Sequence, residues 1–326
     1  MPKHPFRIGG NCKPALDLVS HGRRGPGRPE RFTSEQVAQI ARTVRRAPEV
    51  MVKVSGGGNS LGAVAAHFRY VTRKGTVELE RDDGERVIGG GVARDLVDDW
   101  DLEIDLAMDE WDRMTGGRRA SAAKLVHNIV LSMPVGTPPQ KLLAASREFA
   151  REEFALQHRY AMVLHTDQDH PHVHLVVSAH KREGGRLNIR KADLRRWREQ
   201  FARQLRAHGV EANATPAQVR GRLSDHKRDG AYWAAQRGVL RPEKAVSHRR
   251  KPGSASLGRI TDTAERVRGD WLATVRTLQA QGQRELAWEV EQFRQGLRIP
   301  ITRQEREAAT ARAHEDRRPR QLDFLR

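Results

Sequence analysis

The segment His172–Val177 restricts the possible folds more than any other part of this chain of 326 residues. Successive side chains of a β-strand point to opposite faces, so His172 and His174 share one face, and the apolar residues between and after them face the other way, into a core. A strand with one imidazole face and one apolar face requires a sheet that is covered by helices.

The rest of the chain supplies elements to surround this strand. Alternating or apolar runs predict strands at 50–54, 76–80, 86–88, 124–132, 160–165 and 171–178. Helical periodicity predicts helices from Thr33, over 61–71, and at 93–113, 139–156 and 191–208. The fold class that follows is α+β, with a central antiparallel sheet of about five strands flanked by helices.

Composition changes along the chain predict three segments. Residues 1–48 form a basic amino-terminal extension with a short helix, residues 49–222 form the main domain, and residues 223–326 form a basic, partly helical tail. Within the extension, Arg28 belongs to a run of Arg, Gly and Pro that resembles an AT-hook, an arm that lies in the minor groove of A·T-rich DNA. A solvated basic linker is the alternative interpretation of this run.

The net charge of +18, from 59 Lys and Arg against 41 Asp and Glu, favours a polyanionic partner. Nucleic acid is the first candidate, because no apolar run approaches the ~20 residues of a membrane-spanning helix. The first residues lack the apolar core of a signal peptide, and the single cysteine, Cys12, offers no disulfide framework. We therefore expect a cytoplasmic protein without membrane insertion.

Four histidines, His165, His170, His172 and His174, lie within ten residues. Imidazoles of His172 and His174 can converge on one ion, and His165 can add a third from the preceding strand. Three neutral imidazoles with open positions suit a divalent metal that also holds substrate oxygens. A structural zinc site, or a merely polar strand face, is the alternative, although structural zinc prefers four protein ligands.

Tyr70 lies on the polar side of its predicted helix, away from the apolar stripe that includes Val64 and Phe68. It shares that side with Arg73 and Lys74, two cations that would favour a phosphate beside the phenol. A nearby metal would help the phenol to lose its proton. Tyr70 is therefore a candidate nucleophile, and an ordinary exposed tyrosine is the alternative.

These motifs, in this order, resemble the plasmid mobilisation and conjugation relaxases, in particular the branch of the HUH (histidine–hydrophobic–histidine) endonucleases that contains the T-DNA border endonuclease. The matching stretches are Val50–Glu80, Val126–Thr137 and Tyr160–Ser178, and the resemblance covers roughly residues 50 to 220. The sequence departs from the family pattern in its long basic extension, which places Tyr70 later than is usual.

The resemblance implies that the main domain is a relaxase catalytic domain with Tyr70 as the catalytic residue. It further implies His165, His172 and His174 as ligands of Mg²⁺ or Mn²⁺, Asp167 as a supporting carboxylate, and Ser132 as a DNA contact near the nick. The expected DNA-binding residues are thus Arg28, Arg73, Lys74 and Ser132. The expected partners are single-stranded DNA at a transfer origin, accessory DNA-binding proteins, and a coupling or type IV secretion apparatus.

Two other functions fit parts of the sequence. The run from His170 to Val177 also resembles the histidine-triad nucleotide hydrolases, which use a histidine nucleophile and no metal, but that interpretation leaves His165, Asp167 and Tyr70 unexplained. A non-catalytic basic DNA-binding accessory protein is the second alternative, and metal-dependent cleavage of a single strand would distinguish it from an enzyme.

Overall fold

The computed structural model describes residues 31–114, 123–221 and 254–297. One unit consists of residues 46–214 within these ranges, and a second unit is formed by 31–45 together with 215–221 and 254–297. Arg28 and the rest of the predicted minor-groove arm lie outside the described residues. Within the described part, no helix has the length and apolar character that a membrane crossing requires.

The first unit is built on a six-stranded sheet in which all neighbouring strands are antiparallel. The strands are β1 (Met51–Gly56), β2 (Leu79–Arg81), β3 (Arg86–Val87), β4 (Val126–Ser132), β5 (Tyr160–His165) and β6 (His172–Ser178). Their order across the sheet is β1-β4-β6-β5-β2-β3. The predicted α+β class is confirmed. The sheet has six strands where about five were expected, and the predicted strands at 76–80 and 86–88 correspond to β2 and β3 at its edge.

Eight helices occur in the described residues. They are α1 (Ser34–Val44), α2 (Leu61–Val71), α3 (Val92–Asp99), α4 (Leu102–Met114), α5 (Pro139–Phe154), α6 (Lys191–Ala207), α7 (Ser254–Ala280) and α8 (Arg284–Gln295). Five of them, α2 to α6, belong to the sheet-containing unit, and the other three belong to the second unit.

Helices cover both faces of the sheet. On one face, Val173 and Leu175 of β6 pack with Phe149 of α5 and with Trp197 and Phe201 of α6, and all five side chains are buried. On the other face, α2 and α3 pack over a second apolar cluster that includes residues of β4, β5 and β6. The alternation read from the sequence of β6 therefore places the two histidines on the face that carries α2.

The acidic segment 93–113, predicted as one helix, forms two helices, α3 and α4. The helix is interrupted at Trp100 and Asp101, and Asp101 adopts a left-handed φ of 51°. The break changes which residues of the segment pack inward, so that Leu102 and Leu106 of α4 lie in the same apolar cluster as α3. Helical periodicity over 93–113 predicts Ile104 on the apolar side together with Leu96. This prediction is wrong, because Leu96 is 1% exposed and Ile104 is 58% exposed.

The second unit has an apolar core that contains residues from 31–45, 215–221 and 254–297. Ile40 of α1, Trp271 of α7 and Val290 of α8 are fully buried in one cluster, and the Trp271 indole Nε1 donates to the Val219 carbonyl at 3.0 Å. Thr33 and Gln36 in the sequence predict a capping box, and it is present at the start of α1. The carboxy-terminal segment thus contains packed helices where the sequence suggested only a polar, weakly helical tail.

Candidate active site

Strand pairing brings three histidines together on the α2 side of the sheet. His165 of β5 is paired with His172 of β6, and His174 follows two residues later on the same face. The ring centroids are 5.1 Å apart for His165 and His172, 4.5 Å for His165 and His174, and 5.1 Å for His172 and His174. One nitrogen from each ring lies within 4.8 Å of the other two.

Backbone carbonyls fix two of these rings. The Nε2 atom of His165 lies 2.6 Å from the Val71 carbonyl oxygen, and the Nδ1 atom of His172 lies 3.1 Å from the His170 carbonyl oxygen. We assign a proton to each of these nitrogens, because a carbonyl can only accept. Nδ1 of His165 and Nε2 of His172 then carry the lone pairs, and Nδ1 of His165 accepts from Arg73 Nη2 at 3.2 Å. A set of three such imidazoles fits a divalent ion with open coordination positions.

Burial lowers the pKa of two histidines of the cluster, His174 and His165. Burial, followed by the neighbouring His165 and His172, lowers the pKa of His174 from 6.5 to about 3. Burial is also the main cause of a lowered pKa at His165. Only the neutral imidazole can ligate a metal, so His174 is in a ligand-competent form at neutral pH.

Helix α2 positions Tyr70 beside this cluster. Its buried residues Val64, Phe68 and Val71 hold the helix on the sheet, while the Tyr70 side chain is 58% exposed. The Tyr70 ring is perpendicular to the His174 ring, with an interplanar angle of 89° and centroids 6.2 Å apart. The phenol is thus both accessible and adjacent to the three imidazoles.

His67, one helical turn before Tyr70, also borders the site and was not singled out from the sequence. Its ring stacks with Tyr70 at 6.2 Å and meets His174 edge-on at 6.4 Å. Its Nε2 atom is buried and has no hydrogen-bond partner in the described part of the chain. Its three-residue spacing from Tyr70 on α2 was the only signal that could have indicated it.

A left-handed turn after α2 brings Arg73 into the site. Arg73 and Lys74 have φ values of 50° and 59°, and Gly75 follows at 89°. A side chain at Gly75 would meet the Gly89 backbone at 2.2 Å, so this position requires glycine. The Arg73 Cζ atom lies 5.1 Å from the Tyr70 ring centroid, whereas the Lys74 side chain is exposed beside the site.

Asp167 interacts with Arg73. The Arg73 Nη2 atom donates to Oδ2 of Asp167 at 2.6 Å and lies 3.2 Å from Nδ1 of His165. This guanidinium lowers the pKa of the Asp167 carboxyl. The N–H groups assigned to His165 and His172 donate to backbone carbonyls. The Asp167 carboxylate is therefore connected to His165 only through Arg73, which is hydrogen-bonded to both residues.

Ser132 lies at the end of β4, paired with His172. Its side chain is buried, and its hydroxyl donates to the Pro171 carbonyl at 3.3 Å. This contact holds the end of β4 against the turn that leads into β6. Ser132 therefore borders the triad as a packed residue, and its hydroxyl has a partner within the protein.

The basic helix predicted at 191–208 lies on the opposite face of the sheet from the histidines, since α6 packs with α5. Arg196 forms an ion pair with Glu153, and Arg203 donates to Glu152 at 2.5 Å. These arginines therefore join α6 to α5.

Comparison with known proteins identifies the domain that carries this site. Residues 70–210 match the family model "Relaxase: MobA/VirD2-like, nuclease domain". The T-DNA border endonuclease VirD2 of Rhizobium radiobacter is 29% identical over 54% of this chain and 43% of its own length. The VirD2 proteins of Rhizobium rhizogenes and of Agrobacterium fabrum are each 32% identical over 41% of this chain, and the match covers 31% and 30% of their lengths.

The chain thus spans less than half the length of each of these relatives. The matched residues include Tyr70, Arg73 and the three histidines of the cluster. Over residues 70–210, this chain is therefore similar to the nuclease domain of the MobA/VirD2-like relaxases.

Proposed function

We propose that this protein is a DNA relaxase, a metal-dependent single-strand endonuclease and strand transferase that nicks a transfer origin during conjugative mobilisation. The observation that carries the proposal is the placement of the exposed Tyr70 ring 6.2 Å from His174, in a cluster of three imidazoles. The relaxase family match over the same residues supports it.

The reaction is a transesterification. The Tyr70 oxygen attacks the scissile phosphorus in line, a phosphotyrosyl bond forms to the 5′-phosphate of the downstream segment, and the bond from phosphorus to the 3′-oxygen of the upstream segment breaks. The phenol proton leaves as the new bond forms, and the released strand gains a 3′-hydroxyl. Because one phosphoester replaces another, the strand can be rejoined without ATP.

His165, His172 and His174 would hold the metal, which we propose to be Mg²⁺ or Mn²⁺. When bound, such an ion supplies positive charge that polarises the phosphoryl oxygens and offsets charge in the transition state. Arg73 places its guanidinium next to the Tyr70 ring, where it would bind a phosphate oxygen and orient the phosphodiester. Lys74, which is exposed in the turn after α2, would add a second cation.

The partners we propose are single-stranded DNA at a transfer origin, accessory proteins that open the duplex, and a coupling or secretion apparatus. The net charge of +18 supports a polyanionic substrate. The similar proteins are T-DNA border endonucleases, which supports a DNA substrate with a defined cleavage site.

The histidine-triad hydrolase alternative requires His170 together with His172 and His174. In the structure the His170 side chain is exposed, and the three imidazoles that converge include His165 instead. This arrangement favours a metal site over a histidine nucleophile.

An activity assay tests the proposal. Single-stranded oligonucleotides that tile the genetic element encoding this chain should be cleaved at one site in Mn²⁺ or Mg²⁺, and chelation should stop cleavage. His174→Ala should remove cleavage while single-strand binding persists. Metal-independent binding without any cleavage would instead support the accessory-protein alternative.

A further inference from the structure

The three clustered histidines differ in how their rings are held. His165 and His172 donate to the backbone carbonyls of Val71 and His170. Within the described residues, the His174 side chain makes ring contacts but no hydrogen bond. A metal-ligating histidine ordinarily donates its second ring N–H to an acceptor, which fixes the tautomer and the orientation of the ring. His174 therefore lacks the support that the other two ligand candidates have.

Helix α2 places two side chains beside the His174 ring. Apart from the other two clustered histidines, its ring neighbours in the described residues are His67 and Tyr70, with centroids 6.4 and 6.2 Å away. Tyr70 is 58% exposed, so water can bond to its hydroxyl. His67 is more enclosed, and its Nε2 atom is buried without a hydrogen-bond partner. An unpaired imidazole nitrogen thus lies next to the one ligand candidate that has no acceptor.

The geometry allows a hydrogen bond between these two rings. A neutral imidazole has one N–H donor and one nitrogen lone pair, so one ring can donate to another. A direct bond, with nitrogens about 3 Å apart, places the ring centroids roughly 5 Å apart, about 1 Å closer than the observed 6.4 Å. Rotation of the two rings about their broad χ2 torsions closes this gap. Because Nε2 of His67 is closed to solvent, a bond to a neighbouring side chain is the way to satisfy it.

On the basis of the metal site in the proposed function, we propose that His67 is a positioning residue for His174. The Nε2 lone pair of His67 accepts the second ring N–H of His174 and holds this ligand in the orientation that binds the ion. His67 thus does for His174 what two backbone carbonyls do for the other ligands. Its ring also stacks on Tyr70, with an interplanar angle of 27°, so one side chain connects the third ligand to the nucleophile.

Two substitutions separate this hydrogen bond from ring stacking. His67→Phe keeps an aromatic ring beside Tyr70 and removes both nitrogens, whereas His67→Gln removes the ring and keeps an acceptor at the reach of Nε2. The affinity for Mn²⁺ is measured by calorimetry without DNA. His67→Phe should weaken Mn²⁺ binding about tenfold, and His67→Gln should stay close to the wild type. The reverse order would show that His67 acts by packing, and equal affinities would show that it does not support the metal; either result overturns the proposal.

Nuclear magnetic resonance gives a direct readout of the hydrogen bond. With isotope-labelled histidine nitrogens and diamagnetic Mg²⁺, the wild-type protein should show one tautomer of His174 and a nitrogen–nitrogen coupling to His67. The His67→Phe variant should show mixed tautomers of His174. Absence of the coupling in the wild type would overturn the proposal.

A matched control and a separate signature complete the test. His208→Phe makes the same change at a partly exposed histidine at the end of α6, and it should leave Mn²⁺ affinity unchanged. Circular dichroism confirms that each variant is folded. Failure of the proposed function looks different, because the wild-type protein itself would then bind no Mn²⁺ and form no Tyr70-dependent adduct, and the proposal for His67 would fall with it.

Discussion

Arg73 and Asp167 form an ion pair in which Arg73 Nη2 lies 2.6 Å from Asp167 Oδ2. The same Nη2 atom lies 3.2 Å from Nδ1 of His165, a candidate metal ligand. The carboxylate thus offsets a positive charge that would otherwise oppose a cation at the triad. This ion pair links the turn after α2 to the loop after β5.

We predict that Asp167→Asn weakens Mn²⁺ binding about tenfold, in the range seen for residues that support metal ligands. The reason is that the Arg73 charge is left without its carboxylate beside His165. Calorimetric titration measures the affinity. Asp169→Asn, a change at an exposed neighbouring position, is the control. Equal affinities for the Asp167 variant and the wild type would show that the pair has no role in metal binding.

Replacing a ligand histidine should have a different effect from replacing His170. Alanine at His165, His172 or His174 should reduce Mn²⁺ binding and nicking by orders of magnitude, because the transition-state charge loses its counter-ion. His170→Ala should have a small effect, since the residue holds His172 through its backbone carbonyl, which the substitution retains. If His170→Ala abolishes metal binding and His165→Ala does not, the ligand assignment is wrong.

The lowered pKa of His174 predicts how stability depends on pH. The unfolded chain binds a proton at this residue near pH 6.5, whereas folded His174, with a pKa of about 3, remains neutral. The contribution to the free energy of unfolding is therefore fully present above pH 6.5 and decreases as the pH falls toward 3. Urea denaturation of the metal-free protein at pH 7.5 and 5 should show this decrease, and His174→Gln should reduce it. An identical pH dependence in both proteins would contradict the burial-induced shift.

The amino-terminal arm should be tested by deleting residues 1–30, which leaves α1 in place. If the arm contacts the minor groove through residues such as Arg28, this deletion weakens duplex binding and lowers its salt dependence, while cleavage of a single strand persists. Unchanged duplex affinity would favour a plain linker.

A longer deletion that includes α1 should also destabilise the helical unit, because Ile40 is fully buried against α7 and α8. Ile40→Ala should lower the stability of that unit by about 2–4 kcal/mol, as expected for a truncated core side chain. Thermal denaturation followed by circular dichroism measures the change. Gln39→Ala, at a partly exposed position of the same helix, should have a much smaller effect.

The parts of the fold that depend on strong periodicity could be predicted from the sequence. Strand β5 was predicted with its observed bounds, and the alternation around His172 identified its buried and polar faces. The break at Asp101 could not be predicted, because a single left-handed residue in an otherwise helical pattern has no clear sequence signal. The core around Trp271 was missed because its apolar residues come from three distant segments.

The candidate site was predictable to a similar degree. The three histidines and Tyr70 could be named because each has a regular position on a strand or a helix. Arg73 enters the site because its backbone is left-handed. His67 borders the site because α2 packs over β6. Neither feature is a local property of the sequence.

Tyr70→Phe tests the central claim most directly. The wild-type protein, incubated with its cleaved oligonucleotide and Mn²⁺, should give a band of protein covalently joined to DNA on a denaturing gel, and peptide mapping should find the DNA on Tyr70. The Phe variant should bind the oligonucleotide with nearly wild-type affinity and form no adduct, because only the nucleophilic oxygen is lost. Tyr160, which is buried, should remain unmodified in both. An adduct that persists in Tyr70→Phe would contradict the account.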